Sequence, residues 1–451
     1  MDDSQPTPRA PDPDGGGSRQ RRVLILCTTT GYQTRAFVAA AQKLGLAVAF
    51  GSDRCRSLED PWQDGALALR FHDPDAAASQ IVDAARANPV DAIIALGDAP
   101  VRTAARACRA LGLLSHPPEA ADICRDKYLS RACLREAGLN VPAFVRFPLA
   151  ADPGAILEQG LAVGFPCVLK PTALSASRGV IRADNPAEFL AAFERIRALL
   201  LSPEVQVMRD AANHFIQAEA YVEGREVAVE GLVDRGRLQV LAIFDKPDPL
   251  EGPFFEETIY VTPSRLELEA QAAIIKALSR AVTALGLYHG PLHAELRLNA
   301  RGAWMMEVAA RSIGGLCSRA LRFDSPRLGP DLGPRVERVA SLEEVLIHLA
   351  LGADVRDVRR ERAAAGVMMI PIPGPGIYED VEGMEEAVGR PGVEDIIMTA
   401  RPAQRLVTLP EGSSYLGFIF ARGESPQLVE ESLRGAHQKL HFVMATALPV
   451  V

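Results

Sequence analysis

Apolar and polar residues follow two rhythms along this chain, and the change between them divides it. From Arg22 to Gly112, short unbroken apolar runs recur between segments of helical period. Residues 23–27 and 92–96 are apolar throughout, as expected of strands buried on both faces. Residues 46–50 form a third such run. Segments 35–44, 76–88 and 99–111 carry the helical period, and Gly45 and Gly112 supply C-terminal stops. Strands alternating with helices of this size predict βαβ units and a parallel sheet. Residues 21–121 therefore read as a doubly wound α/β domain, preceded by a Pro-, Asp- and Gly-rich tail, 1–20, with almost nothing to bury.

From Asp122 the rhythm becomes that of an α+β unit, 122–334. Asp126 opens a helix running to Glu136, and 167–170 is a buried strand ending on Lys170, followed by the small-residue loop TALSASRGV. A helix covers 186–200. Strands follow at 214–221, 227–233 and 238–244, then a helix over 263–285 stopped by Gly286. Next comes a hairpin. His293, Glu295 and Arg297 point one way and Ala294, Leu296 and Leu298 the other, while Asn299, Arg301 and Gly302 supply turn chemistry before a second strand, 303–308, carrying Glu307. A loop of 299–303 sets Glu295 opposite Glu307 on one face; a loop one residue shorter sends them to opposite faces. A final α+β region, 335–451, has helices at 341–351 and 426–439, with strands at 367–370, 396–399, 406–409 and 415–421.

Composition narrows the class. The net charge of −8 and the lack of a long basic run give no reason to expect nucleic-acid binding. Seven scattered cysteines with no CxxC pair fit reduced thiols in a cytoplasm better than a disulfide framework or zinc site. No stretch approaches eighteen consecutive apolar residues, and no apolar segment follows a basic start. The expectation is a soluble cytoplasmic protein with neither a membrane span nor a secretory signal.

The first βα turn, TTTGYQT, lacks GxGxxG, and no GxxxxGK[ST] motif occurs, so a nucleotide would have to bind by another route. Lys170 and the Ser175 and Ser177 hydroxyls of the small-residue loop could cradle phosphate, although a strand-end lysine also simply reaches water. Glu219 and Glu226 flank the YVEGRE turn, where backbone could meet a base edge and a carboxylate a ribose hydroxyl. Like charges facing across strands are destabilising. A hard cation such as Mg²⁺ would relieve a Glu295–Glu307 pair, whereas scattered charge on a solvated hairpin face needs no ligand. His289 and His293, in a strand context with no third ligand near, read as packing or substrate-shaping residues rather than metal ligands.

The ordered set carries more than its members. HPPEAADICRDK, GFPCVLKP with SASRGV, AEAYVEGREVAVEG, DKPDPLEGPFFEETIYVTPS, and HAELRL with MMEVAARSIGG together resemble the ATP-grasp superfamily of carboxylate–amine ligases. The similarity runs from about residue 22 to the C-terminus and is closest to the L-amino acid ligases that form dipeptides. It implies an N-terminal parallel-sheet domain, a central ATP-grasp domain and a C-terminal biotin-carboxylase-like domain without a catalytic constellation.

The resemblance also implies ATP, with Mg²⁺ or Mn²⁺ in its place, and small-molecule carboxylate and amine substrates, with a homodimer as one assembly open to it. Lys127 and Lys170 are the implied phosphate ligands, and Ser177 and Gly179 lie in the covering loop. Glu219 and Val222 form the adenine hinge through their backbones, and Glu226 holds the ribose. Glu295 and Glu307 bind the metal, and Arg311 contacts the transferred phosphate. SASRGV and PDPLEGPFFEE are the expected cover over the site. Two departures stand out: the covering loop has fewer glycines than many members, and Ala309 replaces the Asn often found two residues after the second Glu. Amino-acid-ligating members share that second variant. Alternative readings are a ligase for a non-amino-acid acyl donor and a nucleotide-binding protein without turnover.

Overall fold

The computed structural model of the protein describes residues 19–28, 33–53, 66–324 and 339–446. Most of the expected tail, the turn residues 29–32, Cys55 and the division expected at Pro334 lie outside them. The first unit runs β1 (Arg22–Cys27), α1 (Thr34–Lys43), β2 (Ala47–Ser52), β3 (Leu67–Ala68), α2 (Pro74–Ala87), β4 (Ala92–Ala95) and α3 (Asp98–Leu111). Its sheet is parallel, in the order β3-β2-β1-β4. The continuous apolar run of β1 has its predicted cause. Leu24 and Leu26 pack with Ile81 and Cys108 on one face, while Val23 and Ile25 pack with Phe37 and Ala41 on the other. That second cluster also takes in Leu232, Phe244 and Leu346, so one side of the parallel unit is buried against the rest of the molecule. Gly97, at φ +80°, makes the sharp turn from β4 into α3 and sets Asp98 at the first position of that helix.

The central unit comprises α4 (Pro118–Arg125), α5 (Lys127–Glu136), β5 (Phe144–Pro148), α6 (Pro153–Val163), β6 (Cys167–Pro171), β7 (Ile181–Ala183), α7 (Pro186–Leu200), α8 (Pro203–Gln206), β8 (Phe215–Ala220), β9 (Arg225–Asp234), β10 (Arg237–Asp245), β11 (Ile259–Thr262), α9 (Leu268–Ala284), β12 (Gly290–Asn299) and β13 (Gly302–Ala309). A small antiparallel sheet, β5-β8-β6-β7, packs on Phe189, Phe193 and Ile196 of α7. The helix expected from residue 263 begins at Leu268 instead. Ser264 Oγ (2.6 Å) and the Arg265 amide (2.9 Å) both donate to the Asp245 carboxylate, which pins the segment to the end of β10 before the helix can start.

The rest is β14 (Arg322–Asp324), β15 (Val339–Ser341), α10 (Leu342–Ala350), β16 (Arg359–Arg360), β17 (Ala364–Ile370), β18 (Gly376–Glu382), α11 (Met384–Val388), β19 (Val393–Met398), β20 (Gln404–Leu406), β21 (Gly417–Gly423), α12 (Pro426–His437) and β22 (His441–Ala445). Its principal strands do not make a separate sheet. β11 pairs with β17, giving one eight-stranded sheet in the order β13-β12-β9-β10-β11-β17-β21-β19. The expected boundary is thus crossed by backbone hydrogen bonds. Among the described residues no helix is long and apolar enough to cross a membrane.

Candidate active site

A cleft of about 560 Å³ opens where the three units meet. Lys127, Lys170, Ser177, Glu219, Val222, Glu226, Glu295, Glu307 and Arg311 all line it, although they are spread over nearly two hundred residues of sequence. Gly179 does not. Its φ of +76° turns the covering loop, and its amide donates to the Pro410 carbonyl at 2.8 Å.

The first group of charges is built on β6, β8 and α5. Asp126 caps α5 by accepting from the amides of Tyr128 (2.8 Å) and Leu129 (3.3 Å). The helix then presents Lys127 and Arg131 on one face, one turn apart. Lys127 Nζ lies 2.9 Å from the Leu174 carbonyl and 3.2 Å from Glu307 Oε2. Lys170 Nζ lies 2.5 Å from Glu219 Oε2, and Arg131 Nε lies 2.7 Å from Glu219 Oε1. Glu219 was expected to act through its backbone, but that backbone lies within β8 between β5 and β6, and its carboxylate ties the two cations together. Burial alone would raise the Glu219 carboxyl; Arg131 and then Lys170 overcome this and hold it at about 2. Burial pulls Lys170 below the usual lysine range, against Glu219.

The second group surrounds Lys246, which is buried among Glu226 (2.8 Å), Glu295 (3.1 Å) and Glu257. Burial would lower this ammonium, but the three carboxylates raise it well above the usual range. Burial raises the Glu257 carboxyl; burial would also raise Glu295, but Lys246 and His293 hold it below the usual carboxylate range. The other oxygen of Glu226 pairs with Arg297 Nε at 2.7 Å. Arg297 also donates to the Val222 carbonyl (2.7 Å) and the Leu250 carbonyl (2.6 Å). One guanidinium thereby fixes the Val222 carbonyl at the expected hinge, the expected ribose carboxylate and the PDPLEGPFFEE segment. Gly224 is required in that turn because a Cβ there would stand 2.1 Å from the Leu298 carbonyl.

The hairpin itself pairs Glu295 directly with Glu307. The route differs from the expected five-residue loop. Asn299 pairs with Gly302, leaving a two-residue turn, and Met306 is an extra residue that restores the parity. Arg311, expected to reach an anion, is gripped by Asp98 of the parallel unit through Nε (2.5 Å) and Nη2 (3.3 Å). Burial works against the charge on Arg311, and Asp98 more than compensates. His293 Nδ1 lies 3.1 Å from Glu230 Oε2, which also accepts the Ile313 amide at 3.0 Å, and His289 pairs with Asp234 and the Leu349 carbonyl. His289 is a support, and His293 also lines the cleft.

Sequence reasoning overlooked Asp98, Arg131, Lys246, Glu257 and Arg297. Two of these carried a signal: Arg131 follows Lys127 by one helical turn, and Arg297 alternates with Glu295 on the strand. The C-terminal region, expected only to pack alongside, lines the cleft with Met369, Ser413, Tyr415 and Phe418. It also holds the covering loop, through Arg178 Nε to the Glu411 carbonyl (2.8 Å), and the neighbouring α7, through the Arg195–Glu411 ion pair (2.6 Å).

The acidic donors fit a hard divalent cation. Glu295 faces Glu307, and one oxygen each of Glu226, Glu257 and Glu295 lie within 4.8 Å of one another. Lys127 and Lys246 already pair with the two facing carboxylates.

Known proteins resemble this chain in sequence and fold. Residues 38–114 match the ATP-grasp N-terminal domain, 163–320 the ATP-grasp domain and 368–445 the L-amino acid ligase C-terminal domain 2. An alanine–anticapsin ligase from Bacillus subtilis (strain 168) is 30% identical over 92% of each chain. A second Bacillus subtilis sequence of that name aligns at 30% identity over only 62% of each chain. The crystal structure of L-amino acid ligase from Bacillus licheniformis superposes with a TM-score of 0.78, at 27% identity, covering 95% of this chain and all of that one. Sequence and fold agree that the chain belongs to the ATP-grasp superfamily of ligases and, within it, to the L-amino acid ligase family.

Proposed function

We propose that the protein joins the carboxylate of one L-amino acid to the amino group of another, using ATP and releasing ADP and phosphate. The observation that carries this reading is the convergence of Lys127, Lys170, Arg311 and the facing pair Glu295–Glu307 on one cleft. A carboxylate is a poor electrophile, because attack by an amine would have to expel oxide. Transfer of the γ-phosphoryl group to a carboxylate oxygen converts that oxygen into part of a phosphate leaving group. Two anions must approach each other, so cations have to be in place beforehand.

Lys127 and Lys170 hold the nucleotide phosphates, with Ser177 in the loop above them. Val222 forms the hinge for the base, and Glu226 faces the ribose. Glu295 and Glu307 hold Mg²⁺, which when bound neutralises phosphate charge. Arg311, kept charged and oriented by Asp98, meets the acyl-phosphate, and the backbone of Gly314 and Gly315 lies beside it to receive the tetrahedral oxyanion. The amine attacks the acyl carbon, the carbon–oxygen bond to phosphate breaks, and phosphate leaves. The acyl-phosphate would be lost to water in an open site, so the loop held by Pro410 and Glu411 excludes it. Cytoplasmic placement accords with the six described cysteines, all unpaired.

The test is phosphate release across a panel of amino acids, singly and in pairs, with mass detection of products. Release that needs two amino acids and yields a dipeptide supports the reading. Release with a non-amino-acid carboxylate alone as donor overturns its substrate class.

A further inference from the structure

The face shared by Glu295 and Glu307 depends on a single irregularity. From Asn299↔Gly302 to Leu296↔Met305 the strands pair in simple register; the next pair is Glu295↔Glu307, and Met306 is the extra residue. A bulged residue leaves backbone groups outside the ladder, and a buried carbonyl there needs a donor. The donor is Arg131, whose Nη2 reaches the Met306 carbonyl. Arg131 is only 1% exposed. It stands one helical turn after Lys127, whose ammonium pairs with Glu307. Consecutive residues of the bulged strand, 306 and 307, are thus held from one face of α5. The same guanidinium pairs with Glu219, whose other oxygen holds Lys170.

We propose that Arg131 is a positioning residue for the metal-binding hairpin. It fixes the Met306 bulge, so that Glu307 stays on the face of Glu295, and it locks that register to the Lys170–Glu219 pair of the nucleotide-binding sheet. It touches no reacting atom. The proposal rests on the reading of Glu295 and Glu307 as metal ligands. A buried arginine that merely neutralised Glu219 would be replaceable by another cation. A lysine supplies a point charge but not a planar fork that serves a carboxylate and a carbonyl together.

Arg131→Lys separates the two roles. The measurement is Mn²⁺ affinity, by the loss of free-ion paramagnetic resonance signal, in full-length protein saturated with ADP; ATP affinity in EDTA is measured alongside. Glu307→Gln is the control for the underlying reading. The expected result is a fall in Mn²⁺ affinity of roughly 10- to 100-fold in Arg131→Lys, as for outer-shell partners of metal ligands. Metal-free ATP affinity changes by less than about threefold, because the charge beside Glu219 is kept. High Mg²⁺ then restores most of kcat.

Wild-type Mn²⁺ affinity in Arg131→Lys, with affinity lost in Glu307→Gln, overturns the positioning role while leaving the metal site standing. Unchanged affinity in Glu307→Gln overturns the metal reading itself. Should Arg131→Lys fail to fold, Glu219→Gln serves, because it loosens the guanidinium that holds the Met306 bulge without altering either facing glutamate. Mn²⁺ affinity at saturating ADP should then fall roughly tenfold. Wild-type Mn²⁺ affinity in that variant overturns the proposal.

Discussion

Glu295 lies directly opposite Glu307 across the β12–β13 hairpin, and Met306 is the additional residue that puts them on one face. Facing carboxylates repel unless positive charge stands between or beside them. Here Lys246, just after β10, and Lys127, at the start of α5, supply that charge. Glu307→Gln should therefore abolish phosphate release while the far-ultraviolet circular dichroism and melting transition stay close to wild type. Wild-type turnover in this variant would remove the metal assignment.

Lys246 is the counter-ion of three carboxylates in a buried setting. Removing one partner of such a cluster leaves charge buried and unpaired, which costs about 3–5 kcal/mol. Lys246→Met should lower the unfolding free energy in urea by that order. Added Mg²⁺ should recover part of the loss, since a bound cation stabilises the folded state by mass action. A loss unaffected by Mg²⁺ would mean that the carboxylates do not form a cation site without the lysine.

Glu411 offers a test of closure. Its ion pair with Arg195 is half-exposed, so Glu411→Ala should change stability by under about 1 kcal/mol. The backbone contacts of Arg178 and Gly179 to residues 410 and 411 lose their brace, and the loop over the phosphates opens more often. The ratio of phosphate released to dipeptide formed should rise severalfold. An unchanged ratio would show that the C-terminal loop does not govern water access.

The Glu219 pair sets a pH dependence. Its folded carboxyl is held at about 2 against an ordinary value of 4.5, so its stabilisation is fully present above pH 4.5 and is lost as pH falls toward 2. The shift corresponds to about 3 kcal/mol. Urea unfolding of wild type and Glu219→Gln should differ by a constant amount from pH 7 to about 4.5 and converge below it. A difference that is flat through pH 3 would contradict the ion-pair account.

Much of this molecule was legible from local pattern. The unbroken apolar runs at 23–27 and 92–96 announced β1 and β4, because a strand covered on both faces has no polar side to show. Lys127, Lys170, Glu295 and Glu307 could be singled out because their order along the chain, rather than any one of them, matched a superfamily. The hairpin was legible in outcome but not in route. A one-residue bulge leaves no trace in hydrophobic alternation, and here it compensates for a shorter turn. Asp98, Lys246 and Glu257 were silent because each acquires its meaning from a partner more than ten residues away, across strands or units. The contribution of Tyr415 and Phe418 to the cleft follows from the β11–β17 pairing, a long-range choice that no local window records.

The most direct measurement follows the oxygen. A donor amino acid carrying oxygen-18 in its carboxylate is turned over with ATP and an acceptor, and the released phosphate is analysed by mass. An acyl-phosphate formed beside Lys170, Arg311 and the facing glutamates predicts one labelled oxygen in each phosphate and none in the nucleotide. Label appearing in AMP, or unlabelled phosphate accompanying dipeptide, would contradict it.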